Sequence, residues 1–209
     1  MKPQNRRLSK DLSDLCARAI TGSLFLALAW RLGRDFAQTG RMTDLLLLVG
    51  EGLVVVLILL RRNASIIDRR ALVRVVTAAS MASPFLVRPG PVGGLLPENV
   101  AALVAAIGLI VVVAGKISLG YSFGLLPANR GLVDYGVYRV VRHPIYLGYL
   151  ITHASFLLSH PSVWNVVVMG GGDLALIVRA FFEEQILTRD AAYKRYCATV
   201  KWRLVPGVY

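Results

Sequence analysis

The chain has 209 residues, 56% hydrophobic and only 17% charged, with a mean hydropathy of +0.59. Ordinary soluble domains carry about 45–50% apolar and about 25% charged residues, and disordered chains are far less hydrophobic, so both classes are excluded. A net charge of +12, from 24 Lys and Arg against 12 Asp and Glu, points in so apolar a chain to an anionic membrane surface and not to nucleic acid.

The start, MKPQNRRLSKDLSDLCAR, is basic and polar, with no signal-peptide pattern, so the first apolar segment is expected to stay as a membrane helix. Six apolar segments follow, at residues 17–32, 42–60, 71–87, 99–117, 145–160 and 163–182. In lipid every backbone polar group needs an internal partner, so each is read as a helix. The expected fold is all-α, a polytopic membrane bundle of five to six transmembrane helices with its active site at the cytoplasmic face. The first segment is the weakest, because its uncharged part is short and Arg18 and Arg31 must snorkel. The last two segments share a run without Asp, Glu, Lys or Arg from Pro144 to Gly172. That run is too long for one crossing, and Pro161 supplies the break of a tight helical hairpin.

Charge placement sets the orientation. With six crossings and a cytoplasmic amino terminus, only Arg31, Arg34, Arg41 and Arg88 of the 24 basic residues lie outside. Both termini are therefore expected inside, in a cell inner membrane. The chain divides into amino-terminal transmembrane helices, residues 1–114, and a functional core, residues 115–209. A Pro/Gly-rich outer turn spans 88–99, and the long polar stretches at 121–144 and 183–209 share the cytoplasmic side. Chemistry is expected between them. Cys16 and Cys197 lack metal-ligand spacing and read as free thiols, and His143, His153 and His160 form no trusted metal pattern.

Two segments carry chemistry. The first is GVYRVVRHPIYLG, residues 136–148. Pro144 suits the first turn of a helix, which puts Arg142 and His143 beside backbone N–H groups at its positive end, a place for an anion. Tyr138 and Tyr146 add faces for a flat ring or a cation. The same residues would also serve as a basic, aromatic interfacial anchor. The second is RAFFEEQILTRDAAYKRY, where Arg179 and Glu183 share a helix face. Glu183 and Glu184 directly follow Phe181 and Phe182, near lipid depth, where a charge usually faces a cavity or partner; the alternative is a solvated ion-pair face.

The pair resembles the isoprenylcysteine carboxyl methyltransferase family, within a wider group of integral membrane methyltransferases that includes phospholipid N-methyltransferases. The matching pieces are Leu132-Val133, Gly136-Val137-Tyr138, Arg142 to Gly148, Glu183-Glu184, Tyr193, Tyr196 and the tail from Trp202 to Gly207. The resemblance covers residues 115–209. It implies methyl transfer from S-adenosyl-L-methionine to a lipophilic acceptor. The cofactor shell would be Arg130, Gly131, Leu132, Val133, Tyr138, Arg142, His143, Pro144, Ile145, Tyr146 and Glu183. Arg179 and Glu184 would be the catalytic residues, with Arg179 facing the acceptor and no metal required. An arginine there favours an anionic acceptor and carboxyl methylation, with N-methylation of a phospholipid or a non-enzymatic scaffold as alternatives. A transporter would show repeated halves and polar residues along several helices, and the sequence shows neither.

Outside this pair, Glu51 reads as interhelical glue, His153 as a satisfied buried histidine, and Asp173 as structurally paired. His160 reads as an outer-loop residue, the glycines at 170–172 as a packing or kink site, and residues 120–124 as a cytoplasmic turn.

Overall fold

A computed structural model describes residues 3–60, 70–90, 93–119 and 132–208. These form seven α-helices and no strand: α1 Pro3–Thr39, α2 Met42–Leu60, α3 Ala71–Leu86, α4 Glu98–Leu119, α5 Pro144–Ser159, α6 Val163–Leu187 and α7 Ala191–Thr199. A 3-10 turn, Gly136–Arg139, precedes α5. The fold is all-helical, and the expected apolar segments lie in α1 to α6. α1 reaches back to Pro3, because the polar amino-terminal residues continue the same helix. α6 runs five residues past the expected end at residue 182, through both carboxylates to Leu187.

Among the described residues, α4 and α6 are long and apolar enough to cross a membrane. α3 and α5 have 16 residues each, short of the roughly 20 that a perpendicular crossing needs.

The hairpin between α5 and α6 forms at Pro161 as expected. Ser162 caps α6 by accepting the Asn165 N–H at 3.1 Å. α4 and α5 pack backbone to backbone at Gly108 and Gly148. A Cβ on either would come within 2.7 Å of the other's carbonyl oxygen, so only glycine permits the approach. Gly172 likewise abuts Ser83 where α3 meets α6, whereas Gly170 and Gly171 face open space. One core cluster gathers Leu28, Leu32, Leu47, Phe85, Phe156 and Met169; a second gathers Ile145, Tyr146, Leu176, Ala180 and Leu204.

His160 lies in the connection between α5 and α6, and it is fully buried there. Its Nδ1 accepts from the Gly90 N–H and the Arg41 guanidinium, both at 2.9 Å. The ring proton therefore sits on Nε2, which donates to Asp44 at 2.7 Å. Asp35, Asp44 and His160 are close enough together to suit a metal ion. That tautomer leaves the histidine no lone pair for one, so the group is a clasp between α2, the 87–90 segment and the hairpin. Asn165 completes it, donating to the carbonyls of Arg88 and His160 at 2.8 and 3.0 Å.

Candidate active site

α5 begins at Pro144, in the first helical position, with His143 as its N-cap. The preceding 3-10 turn opens on Gly136 at φ 62°, where a side chain would also strike the Ser118 hydroxyl. This turn buries Tyr138. From the other end of the chain, α7 starts on Asp190, which accepts the Ala192 N–H at 2.8 Å. The tail beyond α7 then folds under α5. The Trp202 and Arg203 carbonyls accept the backbone N–H groups of Arg142 and His143, both at 2.9 Å. These bonds engage Arg142 and His143 themselves, and not the first-turn N–H groups of α5 beside which an anion was expected.

Glu184 is the hub of the assembly. One carboxylate oxygen meets Arg142 at 3.1 Å and His143 Nε2 at 3.3 Å, and the other accepts from Arg203 Nε at 2.6 Å. Both oxygens are engaged within a buried clamp that joins α5, α6 and the tail, the geometry of a positioning residue. Glu183, one residue earlier, is more open, with its side chain 18% exposed against 7% for Glu184. It accepts from the Tyr146 hydroxyl at 2.9 Å, and His143 Nδ1 and Arg179 stand at 3.6 and 3.9 Å.

The rings of His143 and Tyr146 are nearly parallel, 6° apart with centroids at 5.4 Å. The Arg179 guanidinium lies over Tyr146 at 5.4 Å. The Tyr138 phenol belongs to the same cluster: burial first, and then the neighbouring Glu183 charge, push its pKa up. Burial does the same for Tyr193 and Tyr196. All three phenols therefore stay neutral and do not serve as bases.

The sequence pairing thus brings Tyr138, Arg142, His143, Tyr146, Arg179, Glu183 and Glu184 together. Pro144 and Ile145 are buried, and Ile145 packs in the core against α6 and Leu204. Leu132 is exposed and Val133 half-buried. Arg130, Gly131 and the 120–124 turn lie outside the described residues. Three contributors had no assigned role. Arg203 closes the clamp, Cys197 takes a contact from Arg142 at 3.0 Å, and the Tyr196 hydroxyl donates to the Tyr138 carbonyl at 2.7 Å. The signal for them was the aromatic-basic tail itself.

A second polar group lies further along α5. His153 is buried between Asp173, at 2.6 Å, and Glu51, at 3.5 Å, tying α5 to α6 and α2. Glu51 is therefore interhelical glue, and Asp173 is structurally paired.

The family model for phospholipid methyltransferase matches residues 98–194. Among curated proteins, none matches the chain. The matched segment runs from the start of α4 into the first four residues of α7 and contains Tyr138, Tyr146, the RHP motif and both carboxylates. With two apolar spans, it marks a membrane protein. Residues 98–194 are therefore similar to the phospholipid methyltransferase family, which includes the isoprenylcysteine carboxyl methyltransferase-like membrane methyltransferases.

Proposed function

We propose that this protein transfers a methyl group from S-adenosyl-L-methionine to the carboxylate of a lipid-borne acceptor. The observation that carries the reading is the convergence of His143, Tyr146, Glu183 and Arg179 within contact of one another at the mouth of α5 and α6. The pocket's chemistry fits the cofactor. Arg142 Nε is buried with no hydrogen-bond partner among the described residues, and it suits the cofactor's carboxylate. Glu183 suits the ammonium or a ribose hydroxyl, and the faces of Tyr138 and Tyr146 suit the adenine or the sulfonium. When bound, the cofactor supplies a methyl on a sulfonium, which departs as a neutral thioether.

The protein's own task is alignment. A carboxylate nucleophile is already unprotonated, so no general base is needed. Arg179 orients the acceptor's negative charge against the Tyr146 face. Glu184 holds the clamp shut and keeps water out. The same reading gives a bundle of five to six crossings in the cell inner membrane, with both termini cytoplasmic. The acceptor then enters sideways from the bilayer. The family match also favours a second reading, N-methylation of a phospholipid.

Purified protein in nanodiscs, given methyl-radiolabelled cofactor and extracted membrane lipids, tests both. Label released as methanol by mild alkali is expected, as from a methyl ester; alkali-stable lipid label contradicts carboxyl methylation and supports the amine. In the same assay Arg179→Ala is expected to lower turnover about 100-fold through lost alignment, with affinity for S-adenosylhomocysteine held within about threefold. A large loss of cofactor affinity instead would move Arg179 into the cofactor shell.

A further inference from the structure

Lys116 stands near the cytoplasmic end of α4, only 8% exposed, and its ammonium has no hydrogen-bond partner among the described residues. A buried cation without a partner is costly, and such groups usually face a ligand or a wet cavity. The Lys116 ammonium lies 5.3 Å from the centroid of the Tyr149 ring. Tyr149 is one turn along α5 from Tyr146, which carries Arg179 over its face at 5.4 Å. Arg179 and Tyr149 are themselves electrostatic neighbours. The depth agrees, since Gly115 of α4 backs onto Ile145 of α5. Among the described residues Glu51 is an opposite charge that acts on Lys116. Its carboxylate, however, is turned to His153 at 3.5 Å, and the ammonium lies beyond hydrogen-bond reach of it.

We propose that Lys116 and Arg179, flanking Tyr149, form the anion-binding seat for the acceptor's headgroup, with Lys116 as a specificity-determining residue that selects an amphiphile bearing an oxyanion. This rests on the methyl-transfer reading of the adjoining pocket. A carboxylate and a phosphate share the needed chemistry, namely negative oxygens able to accept from an ammonium and a guanidinium at once. An amine headgroup is repelled by the same two cations.

The test uses full-length protein in a neutral detergent and three probes of one chain length: oleate, oleyl phosphate and oleylamine. Binding is measured for wild type, Lys116→Met and Lys116→Arg, alongside calorimetry with S-adenosylhomocysteine. Oleate or oleyl phosphate is expected to bind wild type and to weaken about tenfold or more in Lys116→Met, as for loss of a charged hydrogen bond. Lys116→Arg restores it, and cofactor-product affinity is the same in all three proteins. Tighter oleate assigns a carboxylate lipid, and tighter oleyl phosphate a phosphate lipid. Preference for oleylamine, or equal anion affinity in wild type and Lys116→Met, overturns the proposal. If Lys116→Met does not fold, the wild-type ranking of the three probes still decides. Wild type that fails to bind S-adenosylhomocysteine overturns the methyl-transfer reading, whereas lost anion selectivity with that binding intact overturns this inference alone.

Discussion

His143→Ala and Glu183→Ala are each expected to weaken S-adenosylhomocysteine binding about 100-fold or more, while the protein still inserts and purifies as a folded species. Each substitution removes a polar contact at the centre of the proposed pocket, where charged hydrogen bonds are individually strong. Losing Glu183 also removes the acceptor of the Tyr146 hydroxyl at 2.9 Å. Losing His143 removes the ring stacked on Tyr146 and a contact to each carboxylate. The two variants therefore damage the same wall from α6 and from α5. Titration calorimetry in detergent checks the result, with circular dichroism to show that the helices persist. Micromolar affinity retained in both variants would remove these residues from the cofactor shell.

Glu184→Ala is expected to act on stability before chemistry. The carboxylate neutralises Arg142 and Arg203 and contacts His143 in a nearly dry clamp. Deleting it strips the buried Arg142 of its carboxylate and removes one partner of the half-buried Arg203, at a cost on the order of 3–5 kcal/mol. The tail contacts that depend on the clamp should loosen together: Arg142 to the Lys201 carbonyl, and the two N–H bonds to Trp202 and Arg203. A clear fall in the thermal midpoint in detergent is the expected outcome. Glu184→Gln, which keeps the shape and loses the charge, should fall less. An unchanged midpoint with lost turnover would instead make Glu184 a participant in the reaction.

Much of this architecture was legible in the sequence because its determinants are local. Apolar runs gave α2 to α6 nearly to their ends, and Pro161 gave the hairpin. Pro144 gave the start of α5, since a ring without an N–H belongs in a first helical turn. The meeting of His143 and Glu183 followed from that hairpin, which returns the end of α6 to the start of α5, while the chemical roles of the two residues were legible only as a motif. The parts that stayed hidden depend on contacts without a local signature. The Trp202 and Arg203 carbonyls that bind the α5 entrance are backbone atoms, which every residue offers. His160 looked like a loop residue beside proline, and its burial follows from Arg41, Asp44 and Gly90 arriving from distant segments. The Glu51, His153 and Asp173 group needs three helices placed before its charges can be paired. Lys116 read as one more cytoplasmic cation until α4 and α5 were seen to close against each other at Gly108 and Gly148.

The central claim is spatial: the entrance of α5 and the end of α6 hold one small molecule between them. Ultraviolet cross-linking of radiolabelled S-adenosyl-L-methionine to the full-length protein, followed by peptide mapping, tests it most directly. The account predicts label on peptides spanning residues 136–146 or 183–196, lost when S-adenosylhomocysteine is added in excess. Label confined to α1 to α3, or label that excess S-adenosylhomocysteine does not displace, would contradict it.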